Sequence, residues 1–125
     1  MERHSIVIVT GSRKLREWWR VQWVLNQYRP RIVVEGNSKS GADAAARQWC
    51  TENGLQKRSY TAQWGRFGKG AGPIRNTQML REWPMAVVLA FPVEYAENDG
   101  TIDCVRQAWA RGMQVEVFSS VLITP

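Results

Sequence analysis

The sequence predicts an α/β fold, a parallel sheet of about five strands with helices on both faces. Three observations carry the prediction. Short β-branched or apolar runs alternate with longer helical stretches, giving the order β-α-β-α-β-α-β-α-β. Most of these runs are apolar throughout, as strands buried on both faces are. Every unusual loop follows a strand, so all four should open on the rim where such sheets bind ligands.

Ser5–Thr10 reads as the first buried strand and ends in the turn Gly11-Ser12-Arg13. From Lys14 to Tyr28 the period turns helical, with Trp18, Val21, Val24, Leu25 and Tyr28 on one face and Pro30 as the stop. Arg31–Gly36 is a second buried-type strand, followed by the polar loop Asn37–Gly41. Ala42–Cys50 is strongly helix-forming, with Ser40 or Gly41 as cap and Asn53-Gly54 as the end. A short strand falls within Gln56–Thr61, and a long glycine-rich loop within Ala62–Gly72. The next helix is expected to begin with Gly72 at the N-cap and Pro73 at the first helical position, and to end at Trp83 before Pro84. Met85–Phe91 is the most apolar strand. Pro92–Asp99 is an acidic loop, Gly100-Thr101 opens a helix that Gly112 closes, and Gln114–Phe118 is the last strand.

The 125 residues are expected to form one domain, residues 1–125, large enough for a hydrophobic core, and the 44% hydrophobic content argues against disorder. Seven tryptophans are more than a core of this size buries completely. The net charge is +6 and arginine outnumbers lysine, which favours anionic partners and phosphate in particular. Cys50, Cys104 and the single histidine, His4, show no metal-ligand spacing, so neither a metal nor another cofactor is expected. Two cysteines make no disulfide framework, and the expected setting is reducing and cytoplasmic. The apolar run Ile6–Val9 is too short for a signal peptide, and no run reaches the roughly 20 residues of a membrane span.

Candidate site residues sit in the strand-following loops. Gly11, Ser12 and Arg13 form a turn able to face a phosphate, but lack the lysine of a P-loop and the spacing of a dinucleotide fingerprint. Gly36, Lys39 and Ser40 give a second such loop, and Asp43 either bonds a ribose hydroxyl or caps its own helix. Trp64 and Phe67 either stack on a base or pin their loop. Gly72, Arg75 and Asn76 begin a helix in which a first-turn cation opposes the macrodipole. Either an anion lies between Arg75 and the open amides, or the side chain swings to a carboxylate or solvent. Gly100 and Thr101 offer amides and a hydroxyl, with Asp103 as general base, ribose ligand or helix-end charge. Glu94, Glu97 and Asp99 form an acidic cluster that is solvated, holds a metal, or biases a ligand against extra negative charge.

Five segments in order resemble the SLOG superfamily of Rossmann-like domains, and within it the small YspA-related family. They are Thr10–Arg13, Val34–Gly36 with Gly41–Asp43, Ala62–Trp64, Ala71–Pro73 with Arg75, Asn76 and Met79, and Phe91-Pro92 with Gly100-Thr101. The resemblance spans nearly the whole chain and implies a domain that binds nucleotides or nucleotide-derived ligands, including cyclic or NAD-derived ones, commonly as a dimer. Relatives include the Lonely Guy phosphoribohydrolases, whose active-site arginine Arg75 matches. Their Pro-Gly-Gly-x-Gly-Thr segment is replaced here by Pro92-Val93-Glu94-Tyr95 and an extended loop, and Cys104 stands where their catalytic glutamate would be. The resemblance therefore implies binding as a sensor or sponge, without turnover. A phosphoribohydrolase using Arg75 and Asp103 is the alternative, and nucleic-acid binding through the basic surface ranks last.

Overall fold

The computed structural model describes residues 5–125; His4 lies outside the described residues. The elements are β1 (Ile6–Gly11), α1 (Trp18–Tyr28), β2 (Ile32–Glu35), α2 (Gly41–Asn53), β3 (Gln56–Ser59), α3 (Trp64–Phe67), α4 (Ala71–Glu82), β4 (Val87–Phe91), α5 (Asp99–Ala110) and β5 (Val115–Val117), with a 3-10 turn at Gly68–Gly70 leading into α4. The five strands are all parallel, in the order β3-β2-β1-β4-β5. The α/β class, the strand count and the parallel sheet are as the sequence predicts.

Strand alternation sorts the core into two layers. Val7, Val9, Val33, Leu89 and Phe91 pack with Val21, Leu25, Ala45 and Trp49 of α1 and α2. Ile8, Val34 and Val88 pack on the other face with Met79, Leu80, Cys104 and Ala108 of α4 and α5. The chain steps outward from β1 to β3, then returns to pair β4 with β1 on the opposite side. The point of reversal between β1 and β4 is where open parallel sheets leave a crevice beyond the strand ends.

Three helix starts differ from expectation, each because of a contact within the preceding turn or loop. α1 starts at Trp18 rather than Lys14, because Ser12 holds the intervening chain in a turn: its hydroxyl accepts from Lys14 N and its carbonyl from Leu15 N. Leu15 is thereby buried in the core. The expected loop 62–72 contains α3 and the 3-10 turn, and α4 begins at Ala71, which places Pro73 third in the helix. That position still lacks an intrahelical acceptor, so proline is tolerated. α5 begins at Asp99 with Asn98 as its cap. Asn98 Nδ2 donates to Val93 O at 2.7 Å, and Asn98 Oδ1 accepts from Val93 N at 2.8 Å, which closes the β4–α5 loop. Arg75 and Asp103 consequently lie in second turns, where the macrodipole argument for each loses force.

Candidate ligand-binding site

The four strand-following loops meet at one cavity of about 270 Å³. Of the residues singled out from sequence, Gly11, Ser12, Arg13, Gly36, Asp43, Trp64, Gly72, Arg75, Asn76, Gly100, Thr101 and Asp103 line it. Lys39 and Ser40 do not. Lys39 is exposed, and Ser40 turns back to donate its hydroxyl to Arg13 O at 2.9 Å. Phe67 is also outside the lining, with the Arg66 guanidinium 4.8 Å from its ring. Glu97 and Asp99 of the acidic cluster line the cavity as well, and so do Ser38, Lys69 and Asn98, which the sequence does not mark. Their types are common in solvated loops, and nothing in their spacing marks them.

Close backbone approach shapes the floor. A Cβ on Gly11 would stand 2.5 Å from Ala42 Cβ and 2.9 Å from Phe91 O, so α2 could not seat against the end of β1. Gly41, at φ +72°, brings Ala42 N to Ser12 O at 3.1 Å. This amide at the start of α2 is thus used within the fold. Gly36 has no Cβ because the Arg75 guanidinium occupies that space.

Arg75 is held by backbone rather than by a carboxylate. Nη1 donates to Gly36 O at 2.5 Å and to Tyr60 O at 3.4 Å, and Nε donates to Asn76 Oδ1 at 2.9 Å. Nη2 has no acceptor among the described residues. Asn76, 1% exposed, spends its amide on Gly100 O at 3.2 Å and Asp103 Oδ2 at 3.0 Å. Gln107 Nε2 also donates to Asp103 Oδ2, at 2.8 Å. Asp103 Oδ1 receives no donor among the described residues. Asn76 therefore aligns a cation and a carboxylate that each keep one free end.

The helix starts are unlike one another. The turn before α4 feeds straight into it, with Ala71 N bonded to Gly68 O, and Trp64 packs over Gly72. The open helix end expected at Gly72 is therefore covered. Arg13 lies over the same indole, 5.0 Å from the ring centroid. At α5 no side chain caps the helix, and the amides of Asp99, Gly100 and Thr101 find no acceptor among the described residues. Thr101 is 3% exposed and its hydroxyl likewise has no partner there.

Asp43 and Glu35 form a buried acidic pair at the end of β2. Glu35, wholly buried, accepts from Arg47 Nη1 at 2.8 Å, from Asn37 N at 2.6 Å and from Ser59 Oγ. Asp43 accepts from Ser38 N at 3.2 Å rather than capping its helix. Burial, then the charge of Glu35, pushes the Asp43 carboxyl up to about 6, against the pull of the Ser38 amide and Arg75. Cys104 faces the core instead of the cavity, and burial pushes its thiol up to about 12. Among the described residues no group of three acidic, histidine or cysteine side chains could hold a metal, and no helix is long and apolar enough to cross a membrane.

The chain is similar to known sequences. The Gene 61 protein of Mycobacterium phage D29 is 31% identical over 123 residues, covering 90% of this chain and 94% of that protein. Residues 5–67 match the YspA, cpYpsA-related SLOG family, a span from β1 through α3 that includes Gly11, Arg13, Gly36, Asp43 and Trp64 of the cavity. With half of its length matched to that family and a full-length relative at this identity, the chain belongs to the YspA, cpYpsA-related SLOG family.

Proposed function

We propose that the cavity binds a nucleotide or nucleotide-derived ligand and holds it without turnover, as a sensor or sponge does. The observation that carries this reading is the start of α5. A buried hydroxyl without a partner costs about 1–3 kcal/mol, and three neighbouring amides are also open. A phosphate oxygen accepts from all of these groups, and the free Nη2 of Arg75 supplies a further donor. In this reading Asp43 and Asp103 take the ribose hydroxyls and the Trp64 indole takes the base. Cys104 supports the absence of turnover, since a buried, protonated thiol cannot stabilise a ribosyl cation as a carboxylate would.

Calorimetry over a panel of linear, cyclic and NAD-derived nucleotides tests the proposal. Saturable binding of one member, weakened at least tenfold in Thr101→Val, is the expected result. No heat from any member defeats it. A homodimer covering the exposed Trp19 and Trp23 of α1 belongs to the same reading, and sedimentation equilibrium tests it.

The free Oδ1 of Asp103 favours a second reading, hydrolysis of a nucleoside 5'-monophosphate to base and ribose phosphate. Release of free base, abolished in Asp103→Asn, would establish that activity.

A further inference from the structure

The chain carries +6 overall, yet its cavity is not basic. Three cations line it, Arg13, Lys69 and Arg75, against four carboxylates, Asp43, Glu97, Asp99 and Asp103. The charges are also divided by element. Arg13 and Lys69 are exposed on the β1–α1 loop and the turn before α4. Glu97 and Asp99 are exposed on the β4–α5 loop and at the first position of α5, beside the open amides. None of these four is in an ion pair among the described residues, so no partner there neutralises them.

A terminal phosphate carries about −1.5 to −2 at neutral pH, and Arg75 with the α5 amides can offset roughly one such group. Each further phosphate adds charge to a cavity with no positive surplus left. Carboxylates with free oxygens accept instead from hydroxyl or amino donors. On the reading that the site holds a nucleotide, we propose that it selects by phosphate count. It takes a ligand with one terminal phosphate and free ribose hydroxyls, and Glu97 and Asp99 are the residues that reject di- and triphosphates.

The test is calorimetric titration of the full chain, and of its Glu97→Gln/Asp99→Asn variant, with adenosine and guanosine mono-, di- and triphosphates, in EDTA and in magnesium. In the unaltered protein the monophosphate binds tightest, and affinity falls roughly tenfold for each added phosphate. In the variant the ratio of mono- to triphosphate affinity shrinks to within about threefold, and added salt compresses it in the unaltered protein too. Both substituted side chains are exposed, and an unchanged melting temperature confirms that the variant folds. Triphosphate binding equal to or tighter than monophosphate binding, in either buffer, overturns the inference while leaving the nucleotide reading intact. An undiminished ratio in the variant likewise overturns the role given to Glu97 and Asp99. Failure of all six nucleotides to bind the unaltered protein overturns the inference, and the nucleotide reading falls with it only when the cyclic and NAD-derived members also fail to bind.

Discussion

Asp43 couples the site to pH because its carboxyl is enclosed beside a second, wholly buried carboxylate. Its proton affinity rises from the ordinary 3.8 to about 6 in the fold. The folded chain thus holds this proton more tightly than the unfolded chain. The stability Asp43 contributes is complete below pH 3.8 and is lost as the pH rises through about 6. A displacement of this size corresponds to about 3 kcal/mol. Asp43→Asn should therefore gain on the unaltered protein as pH rises from about 4 to 7, by urea unfolding at both ends of that window. A stability difference that stays constant across it would show that the carboxyl is not held protonated. At Gly36 the constraint is steric. In Gly36→Ala the new methyl meets the Arg75 guanidinium, with Cζ at 2.7 Å and Asp43 Oδ2 at 3.1 Å. The expected cost is about 1–3 kcal/mol in denaturant unfolding, with ligand affinity falling as Arg75 is displaced.

Between elements, the governing contact joins α4 to α5 through Asn76. One side chain ties Arg75, Asp103 and the Gly100 carbonyl into a single arrangement. Asn76→Ala leaves the Arg75 Nε–H and the Gly100 carbonyl without these partners in a buried setting. A loss of about 2–3 kcal/mol is expected by chemical denaturation. Ligand affinity should fall further than stability alone accounts for, because the free ends of Arg75 and Asp103 lose their alignment. Equal affinity in the variant would show that Asn76 serves packing only. Element boundaries follow the same logic of contact over propensity. Pro73 suits a first helical position, yet α4 starts two residues earlier because the 3-10 turn at Gly68–Gly70 supplies the preceding turn of backbone.

At the scale of the molecule, the two-layer packing protects both thiols. Cys50 and Cys104 are free and buried, and burial raises them to about 11 and about 12. Thiolate is the reactive form, so neither should react with an aromatic disulfide reagent while the chain is folded. Absorbance of the released thiolate should rise only in denaturant, at a rate that tracks unfolding. Rapid native labelling would mean that a layer opens locally, the one under α1 and α2 for Cys50 or the one under α4 and α5 for Cys104. The same layering explains why the ligand cavity lies where it does. The order in which strands are added reverses between β1 and β4, and a crevice opens there beyond the strand ends.

Alternation of strand-length apolar runs with helical stripes was enough, by itself, to determine the α/β class, the parallel sheet and the rim on which the loops meet. Those features depend on which residues must leave water, and burial is written into hydrophobic period. The glycine-rich turns also marked most of the cavity, because a missing Cβ signals close approach in any context. Side-chain direction depends on neighbours distant in sequence, and only the tertiary structure decided it. Arg75 looked like a first-turn cation that either meets an anion or swings to a carboxylate or solvent, but carbonyls just after β2 and β3 hold one end of it. Gly72 and Gly100-Thr101 both looked like open helix ends, but Trp64 covers the first and only the amides at the start of α5 stay open. Charge behaved likewise. The arginine surplus counted along the chain is spread over the whole molecule, whereas folding brings four carboxylates to the one place where that surplus was expected to matter.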